Sequence, residues 1–100
     1  MTDGGLQLDA VTLEDFASQV GTSFALQGGP CALVLREVRA VGQGHPGRAV
    51  PFSLLFDGPL DVPLSQGIHA LDSEGMGPLE LFLVPVGITP EARQYEAIFN

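Results

Sequence analysis

Lysine is absent from this 100-residue chain, and four arginines stand against twelve aspartates and glutamates, leaving a formal net charge of −8. Nucleic-acid affinity comes mainly from Lys and Arg displacing condensed counterions, and anionic membranes recruit the same side chains. Neither nucleic acid nor an anionic membrane is therefore an expected partner. The acids are scattered from Asp3 to Glu96 without a long run. That is the pattern of a solvated surface kept soluble by self-repulsion, not of an acidic tail.

Cysteine is nearly absent too. Cys31 stands alone, which excludes an intramolecular disulfide and a thiolate cluster for a metal. A long apolar run is also missing: the longest nearly apolar stretch, Leu81 to Ile88, is far short of the roughly 20 residues a spanning helix needs. Met1 to Gly5 lacks the basic patch and apolar run of a signal peptide, so a cytoplasmic location is expected. No repeat, low-complexity segment or linker divides the chain, and a single domain over residues 1–100 suits this length. Apolar residues make up 45% of the chain against 16% charged, a balance that supports a real core and argues against disorder.

What is present reads first as a helix and then as strands. Thr12 is placed to cap a helix over about residues 12–20, with Glu14 and Asp15 at the positive end of its dipole and Gly21 as its stop. Leu13, Phe16, Ala17 and Val20 form its apolar stripe. At about two turns it needs something apolar to dock on. From residue 22 the period changes to two. Thr22 to Gln27 and Ala32 to Ala40 read as a hairpin around Gly28-Gly29-Pro30. Pro51 to Phe56, Gln66 to Leu71, Leu79 to Val86 and Tyr95 to Phe99 follow as strands, with turns at Asp57-Gly58-Pro59 and over Asp72 to Pro78. The fold class is mainly β: about six antiparallel strands in a small barrel or sandwich, with one short N-terminal helix.

The chemical motifs are sparse. Gly42-Gln43-Gly44-His45-Pro46-Gly47 spells a dinucleotide-binding pattern, but Pro46 removes a backbone donor and the segment runs into a strand instead of opening a helix. It reads as a loop. His45 and His69 are far apart in the chain, without metal-ligand spacing. Ser53, Ser65 and Ser73 lack a nucleophile elbow, and Cys31 reads as a small buried residue. No cofactor, metal site or catalytic residue is expected, and the chain reads as a non-enzyme. The competing reading is a small-ligand barrel or hydrolase using His69 with Asp72 or Glu74, although aromatic-rich inward rows leave a small barrel little free volume.

One feature asks for a partner. Leu79 to Val86 is apolar on both faces, with Leu79, Leu81 and Leu83 on one and Phe82, Val84 and Val86 on the other. A strand with a wet face should be polar there, so the second face calls for a cover. Leu55 and Ile98 likewise point away from their inward rows. The simpler expectation is that the helix stripe of Leu13, Phe16 and Val20 covers this face. The functional one is a protein partner or self-association, with Leu55, Phe82, Val84 and Ile98 as the candidate interface.

The strings Pro51-Phe52-Ser53-Leu54-Leu55-Phe56-Asp57-Gly58-Pro59, Leu64-Ser65-Gln66-Gly67, Gly77-Pro78-Leu79-Glu80-Leu81-Phe82-Leu83-Val84-Pro85-Val86-Gly87 and Tyr95-Glu96-Ala97-Ile98-Phe99-Asn100 resemble a family of short bacterial proteins classed only as a domain of unknown function. The resemblance covers the C-terminal half closely and the helix and hairpin more loosely. It transfers no catalytic residue. It implies an association with phage-tail-like fibre or collar proteins, and hence an accessory role in a surface assembly.

The last strand carries a prediction. An unpaired strand backbone with exposed aromatics is costly, so Tyr95 to Phe99 should pair in the sheet, with Leu79 to Val86 as its neighbour. Truncation after Arg93 removes Tyr95, Ile98 and Phe99, each worth roughly 1.5–3 kcal/mol if buried, from a domain stable by about 5–15 kcal/mol. The shortened chain is expected to lose its cooperative thermal melt. A soluble product melting near the full-length protein would refute a closed sheet.

Overall fold

Each strand after residue 22 carries an inward row of apolar residues at a period of two, and the strands bury these rows together by curling into a cylinder. In the computed structural model, which describes residues 11–29, 31–42 and 50–99, the elements are α1 (Leu13–Ala17), β1 (Ser23–Leu26), β2 (Ala32–Ala40), β3 (Phe52–Gly58), β4 (Gly67–Ser73), β5 (Gly77–Ile88) and β6 (Arg93–Phe99). All neighbouring strands are antiparallel, and they close in the order β1-β2-β3-β6-β5-β4. The barrel alternative is therefore the one realised. Two meanders, β1-β2-β3 and β4-β5-β6, are joined edge to edge through β3–β6 and β1–β4. The link between β3 and β4 crosses one mouth, where Tyr95 Oη accepts the Leu64 N–H at 3.0 Å and Arg93 Nε donates to the Leu60 carbonyl at 2.7 Å.

Strand β6 pairs along its whole length with β3, from Phe52↔Phe99 to Gly58↔Arg93, and with β5 from Val84↔Glu96 to Ile88↔Arg93. Tyr95 and Ala97 are buried, whereas Ile98 faces outward and is 56% exposed. The contribution of this strand to stability therefore comes from Tyr95, Ala97, the partly buried Phe99 and the two ladders, and not from Ile98. Two bulges help so few strands curl. The register of β2 on β3 slips between Leu35 and Glu37, and that of β5 on β6 slips between Pro85 and Gly87, each adding local bend and twist. Pro85, which has no N–H to donate, sits beside the second slip.

The helix is shorter than its stripe predicts, and it plugs the barrel end opposite the Leu60–Leu64 crossing. The Thr12 N–H donates to the Asp15 carboxylate at 2.9 Å, closing the first turn. Phe16, fully buried, packs on Phe52 and Phe99 at ring-centroid distances of 5.8 and 5.4 Å, and those two rings stack at 4.7 Å. Because the helix ends at Ala17, Val20 falls in the following turn and is 46% exposed, so it does not extend the stripe. The expectation that the helix covers the outer face of β5 is overturned, since one short helix cannot serve both the floor of the barrel and its wall.

Two turns also differ from expectation. Asp57 and Gly58 continue β3, and the chain bends only after Pro59; Asp72–Ser73 and Gly77–Pro78 are likewise in strands, leaving the tight turn to Glu74–Met76. Gly77 follows with a φ of 78°, which suits glycine. Gly58 serves close packing instead: a Cβ there would lie 2.7 Å from Leu33 Cδ2 and 3.1 Å from Tyr95 Cε2. Both neighbours are fixed in the core, so Gly58→Ala is expected to destabilise by about 1–3 kcal/mol through overpacking. Urea unfolding checks it; an unchanged midpoint would mean that Leu33 and Tyr95 have room to move.

Candidate functional site

The interior is spent on packing. Phe24 and Phe56 meet edge to face at 5.3 Å, and Leu33, Leu35, Leu54, Leu71 and Leu83 have no exposed surface. Room for a contact is therefore left on the outer wall and at the mouths.

On the outer wall the alternation of β4, β5, β6 and β3 brings the apolar candidates together. Ile68 on β4 is paired with Phe82 on β5, and the two are 68% and 52% exposed. Val84, the next outward residue on β5, is paired with Glu96 on β6, and Glu96 is paired on its other side with Leu55 of β3. Ile98 follows Glu96 on the outer face of β6 and is paired with Ser53. The result is an apolar stripe of Ile68, Phe82 and Ile98, bordered by half-buried Val84 and Leu55. All four residues expected at an interface lie on this wall. Ile68 was missed; its outward position follows once His69 is read as inward, in the alternation that buries Leu71 and Ser73. Val86 and Ile88, farther along β5, are also exposed.

Charge borders the stripe. Arg39 pairs with Glu37 at 3.0 Å, and Arg36, displaced by the β2 bulge, pairs with Asp57 at 3.1 Å while Gln94 donates to the same carboxylate at 3.3 Å. Glu80 lies two residues before Phe82 and is exposed. A depression of about 170 Å³ beside Glu96 is lined by Glu37, Arg39, Ser53 and Leu55.

The residues of the competing reading do not converge. His69 Nε2 lies 2.7 Å from the Ser65 carbonyl, near the crossed mouth. Asp72, three residues on, faces the opposite side of β4, and Glu74 is in the turn at the far end. Asp72 and Glu74 do share an open groove of about 820 Å³ with Gln19, Thr22 and Ser23, but His69 is not part of it. Ser73 Oγ is buried in the barrel without a protein partner. Among the described residues no three His, Cys, Asp or Glu side chains are placed to share a metal ion, and no helix is long and apolar enough to cross a membrane. Cys31 is partly exposed, not buried as expected. His45 and the glycine pattern beyond Gly42 lie outside the described residues.

The family described as Domain of unknown function (DUF6916) matches residues 11–99, from the residue before the Thr12 cap to the end of β6. The chain belongs to that family. The DUF6916 match spans the helix and all six strands, so it covers the whole closed barrel and the stripe on its wall. No curated protein and no solved structure matches the chain.

If the stripe is surface and not core, substitution there should leave the fold intact. Ile68→Ser and Phe82→Ser are expected to shift unfolding free energy by no more than about 0.5 kcal/mol. Leu81→Ala, one residue away but inside the barrel, is expected to cost about 2–5 kcal/mol. Parallel urea titrations compare them, and a large loss in the outer variants would make the stripe part of the folding core.

Proposed function

We propose that this DUF6916 domain is a non-enzymatic protein-binding or assembly module whose contact surface is the outer stripe of Ile68, Phe82 and Ile98, with Leu55 and Val84 at its border. The observation that carries this reading is the Ile68–Phe82 pair, two large apolar side chains facing each other across a ladder with more than half of each exposed. Contiguous apolar groups on a domain wall are a common mark of a protein contact, and aromatic anchors contribute strongly to such contacts. The packed interior and the separation of His69 from Asp72 and Glu74 give a catalytic reading no comparable support. An accessory place in a larger surface assembly, of the tail-like fibre kind, is compatible with a small acidic barrel that offers one sticky wall.

The test is light scattering after size exclusion, together with binding of a dye that reports exposed apolar surface. The wild type is expected to bind the dye or to self-associate weakly at high concentration, and Phe82→Ser with Ile68→Ser is expected to suppress both. A strict monomer that binds no dye would remove the basis of the proposal.

A further inference from the structure

Glu96 sits where an apolar contact surface least tolerates an uncompensated charge. It lies between Leu55 and Val84 across its two ladders, and Ile98 is the next outward residue on its own strand. It is only partly exposed, and among the described residues no cation reaches its carboxylate. The arginines of β2, on the far side of β3, are engaged, Arg39 by Glu37 and Arg36 by Asp57. The depression beside Glu96, about 170 Å³, has room for the end of one long side chain; Arg39 lines part of it, but with its charge already met by Glu37.

Docking any surface over the stripe strips water from Glu96. Burying an unpaired carboxylate is unfavourable enough to oppose the apolar contact around it, unless the partner brings a cation. A second copy of this chain is poorly equipped to do so. It carries its own net charge of −8, and among its described arginines Arg36 and Arg39 are held by its own carboxylates while Arg93 is turned to the Leu60 carbonyl at the crossed mouth. Glu80, exposed beside Phe82, adds to the negative border.

We infer that the stripe receives a segment of a different protein in which an Arg or Lys is flanked by apolar side chains. The cation enters the depression beside Glu96, and the apolar groups cover Ile68, Phe82 and Ile98. This rests on the contact role proposed above and adds the chemistry of the partner. Electrostatic matching of this kind selects partners and register more than it adds raw affinity, which suits a wall whose apolar groups alone would be promiscuous.

Two synthetic peptides of equal length serve as probes, one alternating leucine with arginine and the other leucine with glutamate, measured by fluorescence anisotropy near physiological salt. The arginine peptide is expected to bind, and the glutamate peptide to bind at least about tenfold more weakly. Glu96→Gln is expected to weaken the arginine peptide on the order of tenfold, and Phe82→Ser at least as much. Glu91→Gln removes the same charge from the exposed β5–β6 turn and is expected to change affinity by less than about twofold, because remote surface charges are screened. Thermal melts confirm that each variant is folded. If Phe82→Ser weakens binding while Glu96→Gln does not, or if both peptides bind alike, the cationic partner is refuted and the contact role stands. If Glu91→Gln matches Glu96→Gln, or Phe82→Ser has no effect, the attraction is merely that of an acidic protein and the inference fails. Absence of binding by the arginine peptide, or a wild-type dimer that Phe82→Ser dissolves, overturns it as well, the latter in favour of a second copy.

Discussion

The packing of Phe16 against the stacked rings of Phe52 and Phe99 holds the start of the described chain to the beginning of β3 and the end of β6. Aromatic contacts of this kind are each worth about 0.5–1.5 kcal/mol beyond the area they bury. A helix of five residues could not persist on its own propensity, so its place at the barrel floor is set by Phe16, with Val11 and Leu13 packing beside it on the core. The same contact commits the helix. Once Phe16 fills the floor, no other element among those described lies over the outer face of β4, β5 and β6, and the apolar residues there stay in water.

Closure imposes a second economy. A cylinder of six strands has an interior that side chains fill, and the bulges at Arg36 and Val86 with the bare Cα of Gly58 let the wall bend tightly around Leu33 and Tyr95. A filled interior leaves the outer wall as the place for any contact. There Arg36 and Arg39 are held by Asp57 and Glu37, and among the described residues no cation pairs with Glu96 at the border of the stripe. In the contact role proposed above, apolar anchors within an acidic border supply burial, and the border charge supplies discrimination.

Much of this was readable in the amino-acid order. The period-two alternation of Phe52, Leu54 and Phe56, of Leu79, Leu81 and Leu83, and of Tyr95 and Ala97 determined the strands, their inward rows and the mainly β class, because a pleated strand sends successive side chains to opposite faces. The double-faced run Leu79 to Val86 likewise marked Phe82 and Val84 as needing a cover, and the family strings fell on β3, β5 and β6. Thr12 marked the start of the helix. Its length was over-read, because Val20 satisfies a 3.6-residue period yet follows Ala17 into a turn.

Tertiary structure alone decided the rest, because strand order depends on pairings between residues distant in the chain. Nothing local in Ser23–Leu26 says that it meets Gly67–Ser73, and without that pairing a barrel cannot be told from a sandwich. Gly58 read as a turn because glycine beside proline usually is one, and only the approach of Leu33 and Tyr95 reveals it as a packing position. Ile68 entered the stripe only when register set it opposite Phe82, and Glu96 joined its border only when β6 was placed between β3 and β5, with Leu55 and Val84 on either side of it. The amino-acid order determined which side chains must leave water on each strand; the closed ladder decided which strands would be neighbours, and so which apolar residues found no cover.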